Sequence, residues 1–197
     1  MTMVEAQQTP AVRKFTADEV WQMVEIGLLG EGEPYELLDG ELLYVSPQGE
    51  SHAKAITRLT MFFAAHYGPS GHMVRVQMPV GGIVDSIPEP DLLVVTGEVF
   101  EQGHRPEPDQ AVLLVEAAVT SQPRDRRKGQ IYAGAGAAEY WIVDIPRDVV
   151  IVHSGSKPDG TWTNVREFGI DGSVRLPATE VDLAVAAILR PGRPGSG

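Results

Sequence analysis

Apolar residues recur along this chain at two periods, and the switches between them divide it into elements. Thr16-Ala17-Asp18-Glu19 has the form of a capping box, and Val20, Met23 and Val24 continue it as one face of a helix ending near Gly27 or Gly30. Tyr35 to Val45 reads as strand-turn-strand around Asp39-Gly40, a two-residue hairpin turn. Ser51 is placed to cap a second helix, whose stripe of Ala55, Ile56, Leu59, Phe62 and Phe63 runs to Gly68. Met73 to Val80 alternates in polarity as a strand does. Leu92 to Val95 and Val112 to Val115 are continuous apolar runs of the kind buried strands show, separated by a polar loop from Gly97 to Gln110. Arg124 to Ala135 predicts a helix. Glu139–Asp144, Val149–His153 and Trp162–Phe168 predict three more strands, the first two joined by Pro146-Arg147-Asp148, and Thr179 to Leu189 a short closing helix. The order α-β-β-α-β-β-β-α-β-β-β predicts an α/β (α+β) fold, a mixed β-sheet flanked by helices.

The two continuous runs each carry a carboxylate at one end, Asp91 before the first and Glu116 after the second. An acid at the lip of a buried strand is costly to desolvate unless a cation offsets it. Side by side, two such charges repel by about 4 kcal/mol at 4 Å and an effective dielectric near 20. Protonating one acid or binding a divalent ion relieves this. Mg²⁺ (or Mn²⁺) suits the second route, because it accepts a few carboxylates and keeps several waters. Such an ion polarises a phosphoryl oxygen and activates water, which is the skeleton of a phosphodiester-cleaving site. Lys128, on the following helix, is a candidate to orient that water or stabilise developing charge. Spacing alone leaves the bland alternative open: strand-end acids also cap turns or pair with surface lysines, and Pro90-Asp91 is a turn dipeptide.

Composition narrows the setting. At 197 residues the chain suits one domain, expected over residues 15–190, with a polar lead at 1–14 and a loose tail at 191–197. No apolar run reaches the roughly 18 residues of a membrane span, and the first residues lack the apolar core of a signal peptide, which fits a cytoplasmic protein. With no cysteine, disulfides, thiolate nucleophiles and zinc–sulfur sites are excluded. The net charge of −11 opposes long-range attraction to DNA. Arg124, Arg126, Arg127 and Lys128 form the one dense basic cluster, where phosphate contact and a solvated helix face are both compatible readings.

Several motifs occur in a familiar order: Tyr35-Glu36-Leu37-Leu38-Asp39-Gly40-Glu41, Ser51-His52, Pro90-Asp91-Leu92, Val115-Glu116, Asp125-Arg126-Arg127-Lys128 with Tyr132, and Glu139-Tyr140-Trp141-Ile142-Val143-Asp144. Over roughly residues 15 to 190 the chain resembles the bacterial Uma-two family of restriction endonucleases, a branch of the PD-(D/E)XK nuclease superfamily. The resemblance implies a restriction-endonuclease-like core, a divalent metal held by Asp91 and Glu116, and hydrolysis of DNA, often by homodimers. It also marks one departure. Ala118 stands where the superfamily places a lysine two residues after the glutamate, and Lys128 is the migrated equivalent in this family.

The remaining candidates have structural readings beside functional ones. Glu36 resembles the family's upstream acid, which would complete the metal shell, and is also a plain strand-end acid by a hairpin. His52, at a helix start, would contact a phosphate or orient Glu36, or simply make a local hydrogen bond. Tyr132 and Trp141 read as packing residues. His66, His72, His104 and His153 show no metal-site spacing. The rivals to a metal-dependent endodeoxyribonuclease are a nuclease-fold module that binds nucleic acid or a protein partner without catalysis, and a hydrolase of another phosphoester such as a small nucleotide.

Overall fold

In the computed structural model the described residues are 12–30, 32–120 and 122–190. The expected lead up to residue 11 and the tail 191–197 lie outside them. The capping box at Thr16 forms as the sequence predicts: Thr16 Oγ1 accepts from the Glu19 N–H and the Glu19 carboxylate accepts from the Thr16 N–H. It opens helix α1 (Ala17–Glu25). Strands β1 (Tyr35–Leu38) and β2 (Glu41–Tyr44) form an antiparallel hairpin. Its two turn residues, Asp39 and Gly40, both have positive φ, 48° and 79°. That is the conformation a type I′ turn demands and Asp-Gly supplies.

Among the described residues six strands make one mixed sheet in the order β3-β4-β5-β6-β7-β8, where β3 is His72–Val76, β4 Leu92–Thr96, β5 Ala111–Ala118, β6 Glu139–Asp144, β7 Val149–Ser156 and β8 Trp162–Phe168. Every neighbouring pair is antiparallel except β5 and β6. A parallel pair needs a crossover, and helix α4 (Gln122–Gly134) supplies it. Helix α2 (Glu50–Tyr67) covers the opposite face, its buried stripe of His52, Ala55, Ile56, Leu59, Phe63 and Tyr67 facing the sheet. The fold class expected from the sequence is observed.

The period-2 alternation of β5 divides the interior. Leu113, Val115 and Ala117 pack in the cluster under α2, while Leu114 and Ala118 pack in the cluster on the α4 side. Glu116 therefore projects toward α4, and the residues just before β4 come alongside it.

Four differences from the sequence reading have local causes. Helix α2 is capped by Gly49, not Ser51, so His52 stands in its first turn. Strand β3 stops at Val76 because Gln77 takes a positive φ of 48°. The loop at 97–110 holds a short helix, α3 (Gly97–Phe100), and a 3₁₀ turn at Pro108–Gln110. The closing segment begins as strand β10 (Asp182–Ala184), paired with β9 (Ser173–Arg175), before the short helix α5 (Val185–Leu189). Alternation of exposed Asp182 and Ala184 with buried Leu183 and Val185 is a strand period that outweighs helix propensity there.

The approach of α4 to β6 depends on Gly129. A Cβ at this position would lie 2.8 Å from Tyr140 Cε1, and the ring is fixed because Tyr140 Oη donates to the Asp125 carbonyl at 2.8 Å. Overpacking costs about 1–3 kcal/mol, against a helix-propensity gain of about 1 kcal/mol for removing glycine. Gly129→Ala is accordingly expected to lower stability in denaturant melts, despite the better helix former.

Candidate active site

Asp91, Glu116, Glu36 and Lys128 come from four segments and, with Arg124, help to line one cleft of about 610 Å³; His52, from a fifth, is bonded to Asp91. All but Arg124 are buried, Lys128 to 1% exposure and Glu116 to 2%. Burial of this much charge is tolerable only with close pairing.

The pairing centres on Lys128. An ammonium has three protons, and Nζ has three acceptors: Glu116 Oε1 at 2.5 Å, Glu36 Oε1 at 2.8 Å and the Glu89 carbonyl at 2.6 Å. The segment Ile87-Pro88-Glu89-Pro90-Asp91 is built for this contact. Its prolines have no N–H to satisfy, so the Glu89 N–H is the donor between them, and it goes to Glu36 Oε1 at 2.8 Å. The same segment is pinned to β1 by Ile87 N–H to the Leu37 carbonyl at 2.8 Å.

Asp91 sits just beyond the last rung between β4 and β5, Leu92 with Val115. There its Oδ2 accepts from the Ala117 N–H at 2.9 Å and from His52 Nε2 at 2.9 Å. The sequence reading had His52 orienting Glu36 or meeting phosphate; its partner in the structure is Asp91. Glu36 likewise turns both contacts of Oε1 toward Lys128 and Glu89.

The environments of the two acids differ. Burial alone would raise the Asp91 carboxyl, but the His52 bond and charge, the Ala117 N–H and Lys128 together hold it below the usual carboxylate range. Burial raises Glu116 well above its ordinary value, and repulsion from Asp91, Asp125 and Glu36 adds to this against the opposing pull of Lys128. Desolvation would lower Lys128, but Glu116 and Glu36 outweigh it and keep the amine firmly protonated. Two carboxyls of unlike acidity around one cation can hold a metal, and they can also exchange a proton.

Lys128 reaches Glu116 from α4, the position the family resemblance assigned to a migrated lysine. Ala118, on the same face of β5, is fully buried in the cluster with Tyr132 and Tyr140. Tyr132 Oη lies 3.5 Å from Glu116 Oε1.

The arginines separate. Arg124 lines the cleft with Nε 3.8 Å from Glu36 Oε2, and Arg126 is exposed. Arg127 turns to the hairpin, donating to Asp39 Oδ2 at 2.6 Å, Glu41 Oε2 at 2.8 Å and the Leu38 carbonyl at 2.7 Å. Sequence reasoning missed Glu89, Arg75 and Arg105, all cleft-lining. The double proline around Glu89 was the available signal; nothing in the local sequence marks the two arginines.

Truncating Lys128 leaves two buried carboxylates without their cation. Breaking a buried pair this way costs about 3–5 kcal/mol. Lys128→Ala should show that loss in melts near neutral pH. A carboxyl whose folded-state pKa is raised loses stability as pH rises through that value. The deficit should therefore shrink as the pH is lowered through the raised Glu116 value, a trend that melts across the acid range would check.

The sequence and the fold have counterparts. A family model described as "Putative restriction endonuclease", Uma2, matches residues 19–187. A crystal structure described as a "putative nuclease belonging to DUF820" from Anabaena variabilis superposes with TM-score 0.71 at 20% identity, covering 89% of this chain and 97% of that one, a likeness of fold. The type IIG restriction endonuclease BpuSI aligns over 61% of this chain and 14% of its own at 14% identity, with a TM-score of 0.39, too low to bear on the fold. No curated protein matches the chain. The family match spans the hairpin, both acid-bearing strands and α4, and the chain belongs to the Uma2 family.

Proposed function

We propose that this protein is a divalent-metal-dependent endonuclease that hydrolyses DNA phosphodiester bonds. The observation that carries the reading is the cluster of buried carboxylates on the cleft floor, where Glu36 and Glu116 share the Lys128 ammonium and Asp91 pairs with His52. Carboxylate oxygens are hard donors, suited to Mg²⁺ or Mn²⁺. Asp91 and Glu116 would hold the ion. The contacts described on Asp91 and Glu116 fall on Oδ2 and Oε1. Among the described residues no group of three or more His, Cys, Asp or Glu has the arrangement of a metal site. Water and phosphate oxygens would therefore make up most of the shell, as suits Mg²⁺. When bound, the ion polarises a phosphoryl oxygen and lowers the pKa of the attacking water.

The chain's own groups support this. His52 fixes the Asp91 carboxylate through Oδ2. Glu36 and the Glu89 carbonyl anchor Lys128, so that the Lys128 N–H now held by Glu116 Oε1 would be able to donate to the water or a phosphate oxygen once that contact opened. Glu36 acts in this reading as the anchor of the lysine rather than as a metal ligand. Arg124 and Arg126 meet the DNA backbone, while the bonds of Arg127 assign it to holding the hairpin. A second reading, a nuclease-fold module without catalysis, is favoured by the complete set of three acceptors that Lys128 already has.

Calorimetric titration with Mg²⁺ or Mn²⁺ separates the two. Saturable binding is expected for the wild type and none for the Asp91→Ala, Glu116→Ala double variant. Metal-dependent cleavage should vanish in each single acid variant while circular dichroism is retained; cleavage at the wild-type rate in either one would refute the assignment. His52→Ala, which removes only a support of Asp91, should keep cleavage but lose about 10–100-fold in rate or metal affinity.

A further inference from the structure

The carboxylates lie at the floor of a walled cleft, not on an open face. One wall is apolar, with Val20, Leu37 and Ile87 as its core and Trp21 packed on them. Arg75 and Arg105 also line the cleft, Arg105 against this wall. Neither forms an ion pair among the described residues, in a chain with 27 acidic and 16 basic residues. The Arg105 guanidinium lies over the Trp21 ring, 3.7 Å from its centroid, at stacking distance. Burial and the nearby charge of Arg105 both lower Arg75, as two guanidinium groups facing one space would. Both are half-buried or exposed residues lining the cleft, so an anion would relieve their repulsion.

The position of Arg75 relates it to the acids. Gln77 N–H donates to the Asp91 carbonyl at 3.1 Å, and Arg75 pairs with Leu93 on the next strand, two residues along each. Two strand residues span about 7 Å, close to one nucleotide step of an extended strand. Flat guanidinium and aromatic surfaces are what bases stack on once they leave a duplex. A duplex presents its bases inward and its two backbones outward, so it has no use for an apolar wall beside the scissile phosphate.

We infer that the cleft takes an unpaired DNA strand, with Arg75 and Arg105 gripping a phosphate next to the scissile one and a base lying against the Arg105–Trp21 stack. The inference rests on the nucleic-acid part of the nuclease reading and names its substrate class: single strands, flaps or frayed ends ahead of intact duplex.

Fluorescence anisotropy of a labelled oligothymidine and a blunt duplex of equal length, in EDTA, tests it on the full chain. The expected result is at least tenfold tighter binding of the single strand. The Arg75→Ala, Arg105→Ala double variant should lose at least tenfold of it and reduce the salt slope by about 0.7, the share of one phosphate contact on a single strand. Trp21→Leu should weaken the single strand and leave the salt slope in place. Equal or tighter duplex binding, or an unchanged slope in the double variant with native circular dichroism, overturns the inference. Cleavage assays with Mg²⁺ in parallel keep the two readings apart. Cleavage that prefers duplex sinks the strand inference alone. Tight, arginine-dependent single-strand binding without any cleavage sinks the nuclease reading and upholds the cleft's occupant.

Discussion

One buried ammonium organises the functional end of this molecule. Lys128 is at once the counter-charge for Glu116, the anchor of Glu36 and the tie to the Glu89 carbonyl. Its three contacts join α4, β5, the β1–β2 hairpin and the segment before β4. None of these is held to all the others by the main sheet, since the hairpin forms a separate two-stranded sheet. The polar cluster therefore does structural work that an apolar core does elsewhere, and it does so where a reaction would need charge.

That double use sets a constraint on chemistry. A lysine whose protons are all committed is rigid and poorly available. In the proposed nuclease reading, a cation that drew Glu116 away would free one Lys128 donor. The same geometry that pairs the buried charges would, in that reading, couple metal occupancy to the release of a hydrogen-bond donor. The unlike acidity of Asp91 and Glu116 fits this arrangement. One acid is held ionised by His52 and a backbone N–H, while the other is restrained by burial and its neighbours.

Much of this was legible in the sequence, for physical reasons. The capping box, the Asp-Gly turn and the apolar runs report local preferences, and those elements stand where expected. The acids at the strand lips were conspicuous because burial of a lone carboxylate is expensive. The lysine's route from α4 came from family resemblance. Partners set by tertiary approach were not readable. His52 met Asp91 instead of Glu36, Arg127 turned to the hairpin, and Arg75 and Arg105 came to a common cleft from separate loops and strands. Near the C-terminus helix propensity and an alternating pattern over Val181 to Val185 compete, and pairing with β9 decides for the strand at Asp182–Ala184.

The separation of these partners along the chain has a bearing on how the protein is made. Lys128 and Glu89 are 39 positions apart, and Glu89 and Glu36 are 53. During synthesis the ribosome delivers Glu36, Asp91 and Glu116 before the lysine that neutralises them. Until α4 emerges, closing the chain around Glu36 and Glu116 would bury their charge without the ammonium that pairs with them. The counter-charge of Glu36 and Glu116 is thus the last member of this cluster to leave the ribosome.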